Sequence, residues 1–268
     1  MGALALRLTG AAKRYGASAV FEDVDLALER GEVFSLLGPS GCGKSTLLRT
    51  VAGLEPLSAG LVEVGTDTSL SGRPVGIAFQ DPLLLPWLTV AENVRLGLRF
   101  RANAPATRDS EDPVQRILRD FGLAAVAGAY PDQLSGGQAQ RASLARTVVP
   151  RPSLLLLDEP FAALDPRTRA ALQDWLLDVV RERRLTVLLV THDVEEALYL
   201  GDRIGLMGSR SAARNTITHV WDVAHAAHAS AAGTPRRRDD ERLRAIRREI
   251  LAQYQTDVPP GSAGSWVI

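Results

Sequence analysis

The stretch GPSGCGKST, Gly38–Thr46, constrains this chain more than any other. It fits G-x-x-x-x-G-K-[ST], with Gly38, Gly43, Lys44 and Ser45 at the defining positions. Such a loop must come after a buried strand and open a helix, because it works by turning backbone N–H groups outward at a helix start. The flanks comply. EVFSLLG (Glu32–Gly38) reads as a buried strand, and a helix is expected from Gly43 to about Ala52. The loop is therefore a phosphate-binding candidate, lined by Pro39, Ser40, Gly41 and Cys42. Lys44 would reach β- and γ-phosphates, Ser45 is a candidate magnesium ligand, and Thr46 continues the first helical turn. The competing explanation is a chance glycine-rich turn. Cys42 has two readings: a thiol acidified near a helix start, or a filler at a permissive position.

Two short apolar runs end in chemistry-bearing residues. SLLLLDE ends in Asp158 and Glu159, and LTVLLVTHD carries His192. Continuous runs of this length suit parallel strands covered on both faces, and ligands gather beyond the carboxyl ends of such strands. Asp158 there could hold magnesium, Glu159 could polarise an attacking water, and His192 could hydrogen-bond a γ-phosphate. Phosphoryl transfer asks mainly for positioning and charge stabilisation, so this set suffices. Taken alone, Asp-Glu-Pro is a polar turn, and a lone His is usually structural.

Composition excludes several classes. Lys+Arg and Asp+Glu both number 31 in 268 residues, so net charge is zero and a general nucleic-acid surface is not expected. Only Lys13 and Lys44 among the basic residues are lysines, which gives weight to the one inside the loop. One cysteine forbids an internal disulfide. There is no apolar run of transmembrane length, and the N-terminus lacks signal-peptide character. The chain reads as soluble.

Strands are expected within 4–8 and 20–37, at Leu61–Gly65 and at Val75–Phe79. Helices are expected at Thr89–Leu98, opened by a Thr89/Glu92 capping box, and at Val114–Phe121, Ser135–Val149, Pro166–Arg183 and Val194–Leu200. Residues 105–113 read as a surface loop. The sequence divides at about residue 210. Residues 211–268 read as an appendage with one amphipathic helix from Pro235 to about Gln255, its Leu243, Ile246, Ile250, Leu251 and Tyr254 on one face. His225 and His228 have i,i+3 spacing, but two ligands do not make a metal site.

LSGGQ (Leu134–Gln138) raises a further question, because it is a second glycine-marked helix start. Its Ser135 and Gln138 have capping-box spacing, while Gly136 and Gly137 would let an anion approach free N–H groups. With this motif in place, residues 4–210 resemble the ATP-binding cassette (ABC) transporter ATPases. The motifs run in family order: Tyr15 as the aromatic that stacks on adenine, GPSGCGKST as Walker A, Gln80 as the Q-loop glutamine that contacts magnesium and senses the membrane partner, LSGGQ as the signature, LLLLDEP as Walker B, Asp165 in the D-loop, and His192 as the switch histidine.

The resemblance implies a P-loop NTPase of α/β class. It would have a parallel-sheet core, an antiparallel β subdomain and an α-helical signature subdomain at about 85–150. It also implies ATP and Mg2+ as ligands, and ATP hydrolysis as the activity. The partners implied are a second copy in head-to-tail arrangement, transmembrane permease subunits and, indirectly, a substrate-binding protein. The implied location is the cytoplasmic face of the membrane. The signature of one copy would cover ATP on the Walker A loop of the other. FQDPLLLPWLTVAENV (Phe79–Val94) and RLRAIRREIL (Arg242–Leu251) resemble the nitrate/sulfonate/taurine importer branch, with Leu83, Leu84, Leu85, Trp87 and Leu88 in the groove for a permease helix and about half of them exposed. Residues 208–233 do not continue that branch clearly, so importers of other solutes (thiamine precursors, polyamines, iron) stay open. Soluble repair and translation ATPases are disfavoured: no coiled coil separates Walker A from the signature, and there is one cassette. Intact Glu159 and His192 argue against a non-hydrolysing cassette.

Overall fold

The computed structural model describes residues 4–65, 75–99, 111–162, 164–209, 215–224 and 241–257. They fall into two compact units, one from residues 1–66 and 186–268, the other from 67–185.

Alternation builds the first sheet of the first unit. In β1 (Leu4–Tyr15) Leu6, Leu8 and Ala11 are buried between outward Arg7 and Thr9; in β2 (Ser18–Glu29) Val24, Leu26 and Leu28 alternate with Asp23, Asp25 and Ala27. The two strands pair antiparallel through a turn at Gly16, whose φ is +57°. The edge strand β4 (Ala59–Val64) pairs with β1, Leu8 facing Val62. Both long strands extend beyond the short ones expected.

The second sheet of this unit is built on β3 (Val33–Leu37), whose five residues are all buried. Parallel β7 (Thr186–Thr191) and β8 (Arg203–Ser209) flank it, Leu37 being in register with Thr191 on one side and Leu206 on the other. The segments that leave Leu37 and Thr191 thus emerge at the same edge of the sheet. Helix α1 (Lys44–Val51) comes after β3. In the second unit β5 (Val75–Ala78) runs parallel to β6 (Leu154–Asp158), with Ala78 opposite Leu157, so Gln80 and Glu159 also leave one sheet edge together.

Four helices of the second unit start where side chains cap them. Thr89 and Glu92 bond reciprocally at α2 (Val90–Arg99). Asp112 caps α3 (Pro113–Asp120), and Ser135 with Gln138 forms a capping box on α4 (Gly136–Val148). Asp165 caps α5 (Pro166–Arg183) with Pro166 in the first turn. Phe121 packs edge-on to Trp175 at 4.1 Å between ring centroids. Gly97 lets α2 lie against α4, since a Cβ there would sit 2.3 Å from the Arg146 carbonyl oxygen.

The tail differs from the expectation. Beyond residue 210, β9 (Asn215–Asp222) pairs antiparallel with β8. Apolar periodicity concealed it, because the buried residue is Thr218, whose hydroxyl donates to the Leu206 carbonyl at 3.3 Å, while Val220 is exposed, and the pairing with β8 shifts register between Leu206 and Met207. Two bonds tie β9 to β2, Asn215 to the Val20 carbonyl and Thr216 to the Asp23 carbonyl, each 3.0 Å. The terminal helix, α7 (Glu241–Asp257), packs with α6 (Val194–Leu200) against β3 and β8. Its buried face holds Leu243, Ile250 and Tyr254, with Ile246 half-buried. Leu251 is 40% exposed and lies off that face. Residues 105–110 of the expected loop, His225 and His228 lie outside the described residues.

Candidate functional site

The phosphate loop takes its shape from two glycines. At Gly38 a Cβ would stand 2.4 Å from the Met207 carbonyl oxygen, so only glycine lets β3 turn that close to β8. Gly43, the residue before α1, has φ +102°, a left-handed conformation costly for any residue with a Cβ. The Lys44 ammonium is buried and donates to the carbonyls of Gly38 and Pro39 at 2.7 and 2.8 Å. Ser45 and Thr46 are half-buried, Ser40 and Gly41 exposed. A buried cation, a helix N-terminus and an exposed loop crest together attract an anion of phosphate size.

Cys42 takes the second of its two readings. It is 5% exposed, and burial pushes its thiol above the ordinary range, outweighing the Lys44 ammonium and the helix start. It is a packed thiol, not an activated one.

Because Leu37 and Thr191 are in register, the loop and His192 leave the same sheet edge. The His192 ring is exposed, and the next residue, Asp193, caps α6 by accepting from the N–H groups of Glu195 and Glu196. Tyr15 ends β1 with its ring 51% exposed. Its hydroxyl donates to Glu55, which raises the phenol pKa and lowers that of the carboxyl. Lys13 lies over the ring at 4.9 Å and bonds the Pro56 carbonyl at 2.8 Å. Sequence reasoning missed Glu55 and the role of Lys13 because they meet Tyr15 only through pairing of β1 and the chain after α1.

In the second unit Asp158 closes β6, buried, and Glu159 comes next with φ +46°. A left-handed non-glycine residue just beyond a strand end is the sort of strain that functional sites hold. Gln80 is exposed after β5. The segment after it shows Leu83 57% and Trp87 69% exposed, with Leu84, Leu85 and Leu88 half-buried, close to the expected half. Three side chains that the sequence did not single out hold it. Arg146 of α4 donates to the carbonyls of Leu83 at 2.8 Å and Pro82 at 3.0 Å. Gln140 of α4 reaches the Phe79 carbonyl at 3.4 Å, and buried Asn93 of α2 bonds the carbonyls of Leu85, Leu88 and Thr89. Spacing carries no trace of them, since each pairs with backbone.

At the start of α4 the Gln138 N–H donates to the Ser135 hydroxyl at 3.3 Å, and the Ser135 N–H to the Gln138 side chain at 2.9 Å. Ser135 and Gly136 are exposed, and a Cβ on Gly136 would meet nothing within 4 Å. Gly137 is half-covered, with Leu164 at 3.3 Å from a Cβ there. Asp165 accepts from Arg167 and Thr168 at the head of α5; Thr168 is the first cause of its lowered carboxyl pKa. Among the described residues no three His, Cys, Asp or Glu side chains form a metal cluster, and no helix is long and apolar enough to cross a membrane.

Known proteins give this geometry a family. The ABC transporter family profile matches residues 21–162. The chain is 53% identical over 206 residues to the aliphatic sulfonates import ATP-binding protein SsuB 1 of Pseudomonas aeruginosa (strain UCBPP-PA14), covering 74% of this chain and 80% of that protein. It is 46% identical over 257 residues to SsuB 1 of Xanthomonas axonopodis pv. citri (strain 306), covering 94% and 97%. Among solved structures it resembles the dimeric, post-hydrolysis ATP-binding cassette MJ0796 bound to ADP and Pi, at TM-score 0.70, 30% identity and coverage of 81% and 98%. The chain belongs to the ABC transporter family as one of its ATPases.

Proposed function

We propose that this chain is the ATP-hydrolysing subunit of a membrane importer for aliphatic sulfonates. The single observation that carries the mechanism is the phosphate loop, with a buried lysine held on loop carbonyls across a helix N-terminus. On ATP binding, Lys44 exchanges those carbonyls for β- and γ-phosphate oxygens, while loop N–H groups from Gly38 to Thr46 take the rest. Tyr15, steadied by Glu55 and Lys13, stacks on adenine. Glu159 orients the attacking water and His192 bonds the γ-phosphate.

Ser45, Asp158 and Gln80 offer hard oxygen donors, the kind Mg2+ takes. Bound there, Mg2+ would neutralise charge on the phosphates.

Ser135, Gly136, Gly137 and Gln138 close over the ATP of a second copy, with Asp165 beside them. Support comes from the exposed, sterically open head of α4 and from the dimeric cassettes among the structural relatives. The exposed Leu83 and Trp87 support a docking surface for permease subunits at the cytoplasmic face of the membrane. The names of the relatives narrow the cargo from nitrate, sulfonate or taurine to aliphatic sulfonates.

The test is ATPase activity of the purified complex with its permease and binding protein. Alkanesulfonates should stimulate turnover and nitrate should not; the reverse pattern refutes the cargo. Lys44→Ala should lower turnover at least tenfold, and unchanged activity would refute the phosphate-loop reading.

A further inference from the structure

The terminal helix α7 reaches the phosphate loop from behind. Leu37, the residue immediately before Gly38, is buried in one cluster with Leu206 of β8, with Val194, Ala197 and Leu198 of α6, and with Leu243, Ile250 and Tyr254 of α7. The loop itself rests on the end of β8, where the Met207 carbonyl oxygen blocks any Cβ on Gly38 and the Met207 methyl lies 3.3 Å from a Cβ on Gly43. At the next residue, a Cβ on Gly208 would meet the Asp257 side chain at 3.2 Å. Asp257 also lies 3.5 Å from the His219 ring, and Arg247 forms an ion pair with Glu195 in the first turn of α6 at 2.5 Å. One helix therefore touches the strand that bears the loop, the strand beneath it, and the helix that comes after His192.

We infer that α7, through Tyr254, is a positioning element that holds the phosphate loop in its nucleotide-binding shape. The inference rests on the loop being the ATP site proposed above. Tyr254 stands one turn from the end of α7 and is buried in the cluster that holds Leu37 and Leu206. One turn further on, Asp257 meets Gly208, the residue after Met207 on which the loop rests. Within the loop, Cys42 Sγ lies 3.9 Å from the Lys44 ammonium. The end of α7 that carries Tyr254 thus supports the two strand ends, Leu37 and Met207, between which the loop is set. Removing the ring opens a cavity in the cluster that holds Leu37, and the loop relaxes with it.

Cys42 is the only cysteine in the chain and is buried in the loop, so a thiol reagent reads loosening of the loop directly. The experiment compares the full chain with Tyr254→Ala, Tyr254→Leu, Tyr254→Phe and Leu243→Ala. It measures Cys42 labelling by Ellman's reagent, affinity for a fluorescent ATP analogue, and Tm. Leu243 belongs to the same core but lies about 16 Å away along the helix axis. Tyr254→Ala should speed labelling at least tenfold and weaken ATP-analogue binding about fivefold or more. Tyr254→Leu should do the same to a smaller degree, which keeps the test usable if the alanine variant does not fold. Tyr254→Phe should stay within twofold of wild type in both. Leu243→Ala should lower Tm yet leave both readouts within twofold. Equal effects of Leu243→Ala and Tyr254→Leu, or faster labelling without weaker binding, would overturn the inference. Loss of the phosphate-loop reading looks different: binding by the wild type would then be insensitive to Lys44→Ala.

Discussion

Replacing Ser135 by alanine and by aspartate separates the two uses of this side chain. As a helix cap it accepts one bond, from the Gln138 N–H at 3.3 Å, while the reciprocal bond from its own N–H to Gln138 does not need the hydroxyl. Ser135→Ala therefore removes half of the capping box at an exposed position. That costs about 1 kcal/mol, a fall in Tm of roughly 2–4 °C for a chain of this size. Aspartate caps as well as serine, so Ser135→Asp should leave Tm nearly unchanged. Its effect on the proposed closed dimer is the opposite. A carboxylate brought within about 4 Å of a phosphate oxygen, at an effective dielectric of about 20, meets roughly 4 kcal/mol of repulsion. That is a factor of about 10³ in the population of the closed state. The assay is steady-state ATP hydrolysis, with ATP-dependent dimerisation followed by light scattering and Tm by calorimetry. Hydrolysis should fall at least a hundredfold in Ser135→Asp with ATP-analogue binding to the monomer intact. Wild-type turnover in that variant would refute the in-trans role and leave Ser135 a cap alone.

Three further outcomes are expected. Glu159→Gln should keep ATP binding, slow hydrolysis by about 10²–10³ and accumulate dimer; undiminished turnover removes Glu159 as the group that orients water. Gly38→Ala should lower stability by about 1–3 kcal/mol through overpacking, because its methyl faces the Met207 carbonyl oxygen and cannot rotate away; an unchanged Tm in calorimetry would contradict the close approach of β3 and β8. Trp87→Asp should leave basal ATPase activity and Tm alone, since the ring is exposed, and abolish co-purification with the permease subunits; retained assembly would move the docking surface elsewhere.

The candidate site residues of this protein stand out in the sequence because they lie in short, contiguous motifs of fixed spacing. A phosphate loop must hold its glycines and lysine within nine residues, and the caps at Ser135, Asp165 and Thr89 sit beside the helices they start. The buried parallel strands were legible as well, since burial on both faces leaves an unbroken apolar run.

Tertiary structure decided what spacing could not carry. The strand at Asn215–Asp222 buries Thr218 and exposes Val220, against the apolar rule, because its register against β8 shifts there and β8 supplies a carbonyl for the hydroxyl. Arg146, Gln140 and Asn93 are invisible as a pattern because their partners are backbone carbonyls of another segment. The state of the Cys42 thiol came from burial and not from its place at a helix start. The terminal helix, read from sequence as an appendage, packs behind the phosphate loop because Leu37 and Leu206 leave an apolar surface there that Ile250 and Tyr254 cover. Local motifs record what a ligand demands of consecutive residues; which distant side chains hold those motifs in shape is settled only when the chain folds.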